Sequence, residues 1–320
     1  MLIAGIILGV ILSFNIIGLI INNIYFKDEL QSIQPYGQMI DVDGSRMHVY
    51  SMGNGEETIV LLPGYGVPLP SADFGPLMRK LRDKYTVVAV EYFGVGFSEE
   101  VETPRTNENY TMEIRTVLEK AGFKPPYILM PHSASGVYSE YYAAKYPEEI
   151  SSIIMLDTTS TARIEKTPGY LKYIFSIAKF QKATGFIRLT SKLAPETKLI
   201  ENGYTKKERE DYKKFISYTI NNTMIDQSLR LMDNVKEVNT LPFPEDIPVL
   251  KIISKQSIDK IAKKDKNDGM KYQNDHLDRL GKNVSYEVLD ATHFMYQSKV
   301  HEIVELTNQF LAKNKKGEKI

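Results

Sequence analysis

From residue 38 onward the chain alternates short apolar runs, rich in β-branched residues, with longer segments of helical period, and few folds accept that order. Residues 39–42 and 46–51 flank Asp43-Gly44, a pair that favours a tight hairpin. Apolar runs follow at 58–62, 85–90, 127–130, 150–156, 248–254 and 284–289. Helical patterns lie between them at 76–84, 107–121 and 134–145, with a charged one up to Gly281 and an amphipathic one at 301–312. A hairpin followed by such alternation predicts an α/β fold with a mostly parallel central sheet and helices on both faces. Open sheets of this kind place their sites at the carboxyl ends of the strands.

The amino terminus follows another rule. Residues 1–26 contain no charged side chain, and within 2–21 only Ser13 and Asn15 are polar. A membrane-spanning helix needs about 20 apolar residues. A cleaved signal peptide would have a basic start and a small-residue cleavage site, and neither is present. A buried helix would concentrate its apolar residues on one face, whereas here they run all round. The expectation is one transmembrane anchor over 1–26 and a polar linker over 27–37. Lys27 is followed at once by Asp28 and Glu29, so the charges leave its orientation open.

Composition removes several function classes. The chain has no cysteine, which excludes disulfides, thiolate metal sites and a cysteine nucleophile. Forty basic residues balance forty acidic ones, so no charge excess points to nucleic acid. Five histidines, none in a paired metal-binding spacing, do not suggest a metal centre, and no cofactor is expected.

Three strand ends carry candidate chemistry. After the 127–130 run comes Pro131-His-Ser133-Ala-Ser-Gly136 and then a helix. A serine on a sharp strand-to-helix turn is a nucleophile elbow, which lifts its hydroxyl above the sheet beside a helix amino terminus. A plain helix-capping serine would read the same way. Ser135 is a rival, with flanks that suit the turn less well. After the 58–62 run comes Pro63-Gly-Tyr65-Gly66, where glycines let N–H groups turn inward. The backbone N–H groups of Tyr65 and Ala134 are the natural pair for an oxyanion. After the last run comes Asp290-Ala-Thr-His293, placing an imidazole where it can reach Ser133 as general base. His48, His132, His276 and His301 read as structural or surface residues.

In this order the three elements resemble the α/β-hydrolase superfamily, of the lipase, esterase and prolyl-aminopeptidase-like kind. The stretch His132-Ser-Ala-Ser-Gly-Val-Tyr-Ser-Glu-Tyr-Tyr-Ala-Ala-Lys-Tyr-Pro147 looks like the family's elbow and its helix. Glu91-Tyr-Phe-Gly-Val-Gly-Phe-Ser98 looks like its Asp-x-x-Gly-x-Gly-x-Ser loop, making Ser98 a loop residue. Pro63 stands where the family usually has histidine, and Pro131 replaces the first elbow glycine. The resemblance spans about 39–312 and implies a serine–acid–histidine triad. The acid usually follows the strand at 248–254, but Ser257 occupies that place. Asp259 lies two residues on, with Asp265 and Asp268 beyond it along a charged helix. Some branches place the acid after the preceding strand, where this chain has Asp157; it is the first choice here and Asp259 the alternative.

The expected organisation is therefore anchor 1–26, linker 27–37, hydrolase core 38–157, helical lid 158–247, core again 248–312, and a polar tail 313–320. In the lid, Tyr170, Tyr173, Phe175, Phe180, Phe186, Tyr212, Phe215 and Tyr218 are expected to face the sheet and roof an apolar pocket. The charged run 205–214 is expected to face solvent. The implied activity is hydrolysis of a small, acyl or lipid-like ester, thioester or amide through an acyl-serine. The alternatives are a prolyl-aminopeptidase-like peptidase, with Glu201, Glu208 or Glu210 holding a free amine, and an inactive hydrolase-fold binding module. Aspartate-dependent dehalogenase or epoxide hydrolase chemistry is disfavoured by a serine at the elbow.

Overall fold

The computed structural model describes residues 2–25, 29–30, 32–193, 198–264 and 268–315, with only the backbone described at 2–8, 10, 11, 25, 192, 193 and 264. The chain opens on helix α1 (Leu2–Tyr25) and then the hairpin β1 (Gln38–Val42) and β2 (Ser45–Met52), turning at Asp43-Gly44 with both residues at positive φ. Strand β3 (Thr58–Leu62) leads through a glycine loop into α2 (Pro70–Asp73) and α3 (Gly75–Leu81). Then follow β4 (Thr86–Glu91), α4 (Asn107–Lys120), β5 (Tyr127–Pro131), α5 (Ser135–Lys145) and β6 (Ile150–Leu156). The sheet resumes after a long helical insertion with β7 (Val249–Ser254) and β8 (Val284–Leu289).

The eight strands lie in the order β1-β2-β4-β3-β5-β6-β7-β8, antiparallel at β1–β2–β4 and parallel from there on. This is the mostly parallel sheet that the alternation predicts. Strands β3 and β5 are buried at every position, as strands covered on both faces must be, and after Thr58 they read as unbroken apolar runs for that reason. One face packs Val60, Leu62, Val88, Leu129 and Ile153 against α4 and α5. The other packs Ile59, Leu61, Val87, Ile128 and Ile154 against α3 and the last helix.

Among the described residues the insertion after β6 folds into four longer helices: α6 (Leu171–Ala183), α7 (Phe186–Leu193), α8 (Lys206–Phe215) and α9 (Asn222–Asn239). Their facing departs from expectation in two ways. Tyr170, Tyr173, Phe180 and Phe186 point outward, while Phe215 is buried. Periodicity alone shows that such residues are apolar, not which neighbour covers them, and α6 lies on the outer side of the insertion. The run 205–214 is not simply solvent-facing either. Thr205 and Glu208 form a capping box, buried Glu208 pairs with Arg79 across the core, and buried Asp211 accepts from the Tyr36 hydroxyl at 3.0 Å.

Beyond the insertion lie α10 (Lys255–Lys264), α11 (Gly269–Leu280) and α12 (Val300–Lys315). Helix α12 continues three residues past the expected end of the fold, and Lys315 pairs with Glu57 at 2.7 Å, so the expected tail begins inside the helix. Residues 316–320 lie outside the described residues.

Helix α1 leans on the insertion. Gly18 lets it approach the backbone carbonyl of Thr184, and the Asn22 amide donates to the Ala183 carbonyl at 3.3 Å. Among the described residues no helix is long and apolar enough to cross a membrane, so the transmembrane anchor expected over 1–26 finds no support there. Residues 1 and 26 of that segment, and the side chains of 2–8, 10, 11 and 25, lie outside the described residues.

Candidate active site

Strand β5 ends at Pro131, and the chain turns so sharply into α5 that Ser133 sits at φ 55°, a left-handed conformation that costs an L-residue roughly 1–2 kcal/mol. Backbone bonds hold it there: Ser133 N–H donates to the Leu156 carbonyl at 3.1 Å, and Thr159 N–H donates to the Ser133 carbonyl at 3.0 Å. Small residues surround the turn. A Cβ on Gly64 would stand 2.6 Å from His132 Nδ1 and 2.8 Å from Ser133 Cβ, and one on Gly136 would meet Thr158 Cβ at 2.5 Å. Pro131, in place of the motif's first glycine, fits as the last residue of the strand.

The Ser133 hydroxyl lies 2.9 Å from His293 Nε2, and His293 Nδ1 lies 2.6 Å from Asp157 Oδ2. A carboxylate only accepts, so Nδ1 carries the proton and Nε2 is left to accept from the serine. Asp157 follows β6 directly, at φ 46°, with its side chain 3% exposed against 32% for the imidazole. Burial of a carboxylate demands donors. It receives three: His293 Nδ1–H, the Ser254 backbone N–H at 2.9 Å and the Ser257 hydroxyl at 2.5 Å. It also sits at the amino end of α10, where the helix dipole favours negative charge. Asp259, in contrast, is exposed on α10, and Asp268 pairs with Arg163. Asp265 lies outside the described residues.

Among the described residues the backbone N–H groups of Tyr65 and Ala134 donate to no acceptor within the protein. Both lie on the loops that meet at Ser133. The rival Ser135 is fully buried, donates to the Pro63 carbonyl and lies 2.9 Å from the Tyr92 hydroxyl, so its oxygen is committed to holding the two loops together. A cleft beside His293 and Asp157, lined by Thr159, Glu165, Lys260 and Tyr272, opens the site to solvent. Glu208, one of the carboxylates considered for a free amine, is engaged with Arg79, and Glu201 and Glu210 are exposed.

The supporting contacts of two residues are not visible in the sequence. Ser257, noted above only for standing where the acid usually lies, instead donates to Asp157. Removing one hydrogen bond to a buried charge costs about 1.5–3 kcal/mol. Ser257→Ala is therefore expected to lower turnover at this site about tenfold or more with little change in KM, read from steady-state kinetics. The second is His132. Its ring is fully buried, makes tilted contacts with His293 and Phe294 at 4.6 and 5.2 Å and an edge-on contact with Tyr296 at 4.9 Å, and bonds through Nε2 to the His293 carbonyl at 3.1 Å. It thereby props the loop that carries the second histidine. Its place next to the elbow serine was the available signal.

Burial, helped by the neighbouring His293, pushes the His132 imidazolium down to about 3. The ring is then neutral in the folded protein while the unfolded chain binds a proton below about 6.5. The unfolded state thus takes up more protons as pH falls from 6.5 to 3, and folding stability is lost over that window. His132→Gln is expected to flatten this loss, checked by urea unfolding at pH 4 and pH 7.

The expected β8 histidine, the elbow serine and the aspartate after β6 thus come together, and Asp259 does not join them. The sequence profile of the α/β hydrolase fold family matches residues 57–223. The chain is 28% identical over 308 residues to the uncharacterized protein YbdG of Bacillus subtilis (strain 168), covering 92% of this chain and 91% of that one. It is 31% identical over 120 residues to 2-(acetamidomethylene)succinate hydrolase of Mesorhizobium japonicum, covering 38% and 42%. The fold superposes on the epoxide hydrolase VrEH1 from Vigna radiata with a TM-score of 0.66 at 18% identity, covering 89% of this chain and 99% of that one. With its profile match extending over half its length and its strand order and elbow in place, the chain belongs to the α/β-hydrolase fold family.

Proposed function

We propose that the protein is a serine hydrolase that cleaves carboxylic esters, or related thioesters and amides, through an acyl-serine. The observation that supports this most is the unbroken chain of hydrogen bonds from the Ser133 hydroxyl through His293 to Asp157. Ser133 Oγ would attack the substrate carbonyl carbon as its proton passes to His293 Nε2. The resulting imidazolium is held by Asp157, and the oxyanion by the N–H groups of Tyr65 and Ala134. Collapse expels the leaving alcohol, thiol or amine, which takes the proton from His293. Water, deprotonated by the same ring, then releases the acid and restores the serine. No step needs a cofactor or metal. A serine at the elbow disfavours the ester-forming aspartate chemistry that epoxide opening on this fold would use.

A fluorophosphonate probe tests the reading. The intact protein is expected to label at Ser133, with Ser133→Ala protected; equal labelling of the two would end it.

The uncharged apolar run 1–26 supports attachment to a membrane through its amino-terminal helix, and with it a lipid-like ester as substrate. The full chain is expected in the membrane pellet and to resist extraction by high salt. Recovery in the detergent-free supernatant would count against attachment.

A further inference from the structure

We propose that Ser135 and Tyr92 are positioning residues for the oxyanion hole, their hydrogen-bonded chain to the Pro63 carbonyl setting the spacing of the Tyr65 and Ala134 N–H groups. The proposal rests on the acyl-serine reading of Ser133. The elbow motif has glycine two residues after its serine, and this chain has Ser135 there. The facing loop departs from the family pattern too, with Pro63 ahead of Gly64. In the fold the two departures meet. The Ser135 hydroxyl donates to the Pro63 carbonyl, and the Tyr92 hydroxyl lies 2.9 Å from Ser135 Oγ. A carbonyl only accepts, so the serine hydrogen is committed to Pro63 and the Tyr92 hydroxyl donates to the serine oxygen. All three residues are buried, where a carbonyl left without a donor would be costly.

The chain spans the ends of three adjoining strands. Tyr92 follows β4, Pro63 follows β3, and Ser135 opens the helix after β5. The last backbone bond between β3 and the elbow runs from His132 N–H to the Leu62 carbonyl at 2.9 Å. Beyond it, among the described residues, the Ser135 hydroxyl makes the one hydrogen bond that joins residues 63–67 to residues 133–137. Each end of that bond adjoins a proposed donor: Ala134 precedes Ser135, and Tyr65 stands two residues after Pro63. Contact already stops the loops from approaching further, since a Cβ on Gly64 would stand 2.8 Å from Ser133 Cβ. The Ser135 bond stops them from separating. Oxyanion donors act over a narrow range, about 2.7–3.1 Å, so a brace at this point bears directly on their use. Tyr92 is itself held. Its ring meets Tyr110 and Tyr138 edge-on at 4.8 and 6.1 Å, and burial pushes its phenol up from its ordinary range, so it stays a donor. Among the described residues its hydroxyl has no partner but Ser135.

Sulfur is larger than oxygen and a weaker hydrogen-bond acceptor, so a thionoester draws little help from paired N–H donors. The ratio of kcat/KM for nitrophenyl acetate to that for its thiono analogue therefore reads the oxyanion hole, which a general loss of folded protein would leave unchanged. In the full chain, Ser135→Ala is expected to lower kcat/KM for the oxygen ester by about 10–100-fold while the thionoester stays within about threefold. Tyr92→Phe keeps the ring and loses only the hydroxyl; it is expected to lower the same ratio by about 3–10-fold. Ser135→Gly restores the motif residue and is expected to lose activity as Ser135→Ala does. Adding Tyr92→Phe to Ser135→Ala is expected to cost less than about twofold more, because the tyrosine acts through the serine. A ratio that stays the same in Ser135→Ala and Tyr92→Phe, whether or not activity falls, would overturn the proposal while leaving the acyl-serine reading in place. A parent protein that cleaves neither ester and does not label at Ser133 with a fluorophosphonate would end that reading, and the proposal with it.

Discussion

Ser133→Ala is expected to lower kcat for a short nitrophenyl ester by about 10⁵–10⁶-fold while leaving the fold intact. In energy this is about 7–8 kcal/mol of lost transition-state stabilisation. The size follows from the loss of the covalent route altogether: Ser135, two residues on, is buried and bound to Pro63, so it offers no substitute. What remains is catalysis by the free N–H groups and by positioning. Steady-state kinetics checks the loss, and thermal unfolding checks the fold. A companion variant separates chemistry from strain. Ser133→Gly loses the same activity but suits the 55° φ, and it is expected to be about 1 kcal/mol more stable than Ser133→Ala. A loss of activity below a hundredfold in both variants would remove Ser133 from the reaction.

The second large effect concerns the acid. Asp157→Asn is expected to reduce kcat by about 10⁴-fold, whereas Asp259→Asn changes it by less than about twofold. The carboxylate accepts from His293, from the Ser254 backbone and from Ser257. An amide has one accepting atom and one donating group in the same place. With the backbone N–H of Ser254 fixed, its NH₂ would face His293 Nδ1, and the imidazole would flip to the tautomer that carries its proton on Nε2. Nε2 would then donate toward Ser133 instead of accepting from it. The same kinetic assay distinguishes the two aspartates, and the reverse ranking would place the acid on α10.

The sheet and the strand-end residues were legible in the sequence because they obey local rules. Buried parallel strands are dominated by apolar residues, as 59–62 and 127–130 are, and tight turns must be small, as at Gly64 and Gly136. The partners of the candidate site were less legible. Ser257 reads from the sequence as an absence, and its value to Asp157 depends on a 100-residue separation that only folding closes. The same limit applied to the lid. Residues 170–180 are apolar on two helical faces, so periodicity could not decide which face met the core. Glu208 and Asp211 sit in a run that reads as solvated, yet distant Arg79 and Tyr36 draw them inward.

The position of Asp157 has one more consequence. The proposed nucleophile, oxyanion donors and acid all precede the long helical insertion, and the proposed base, His293, follows it. Where the acid instead follows β7, an insertion divides it from the nucleophile along the chain. Here Ser133 and Asp157 stand at the ends of adjoining strands, tied through the Leu156 carbonyl. The roof is therefore modular with respect to that half of the machinery: a different set of helices could be spliced between Asp157 and β7, changing what reaches the serine without re-registering the pair beneath it.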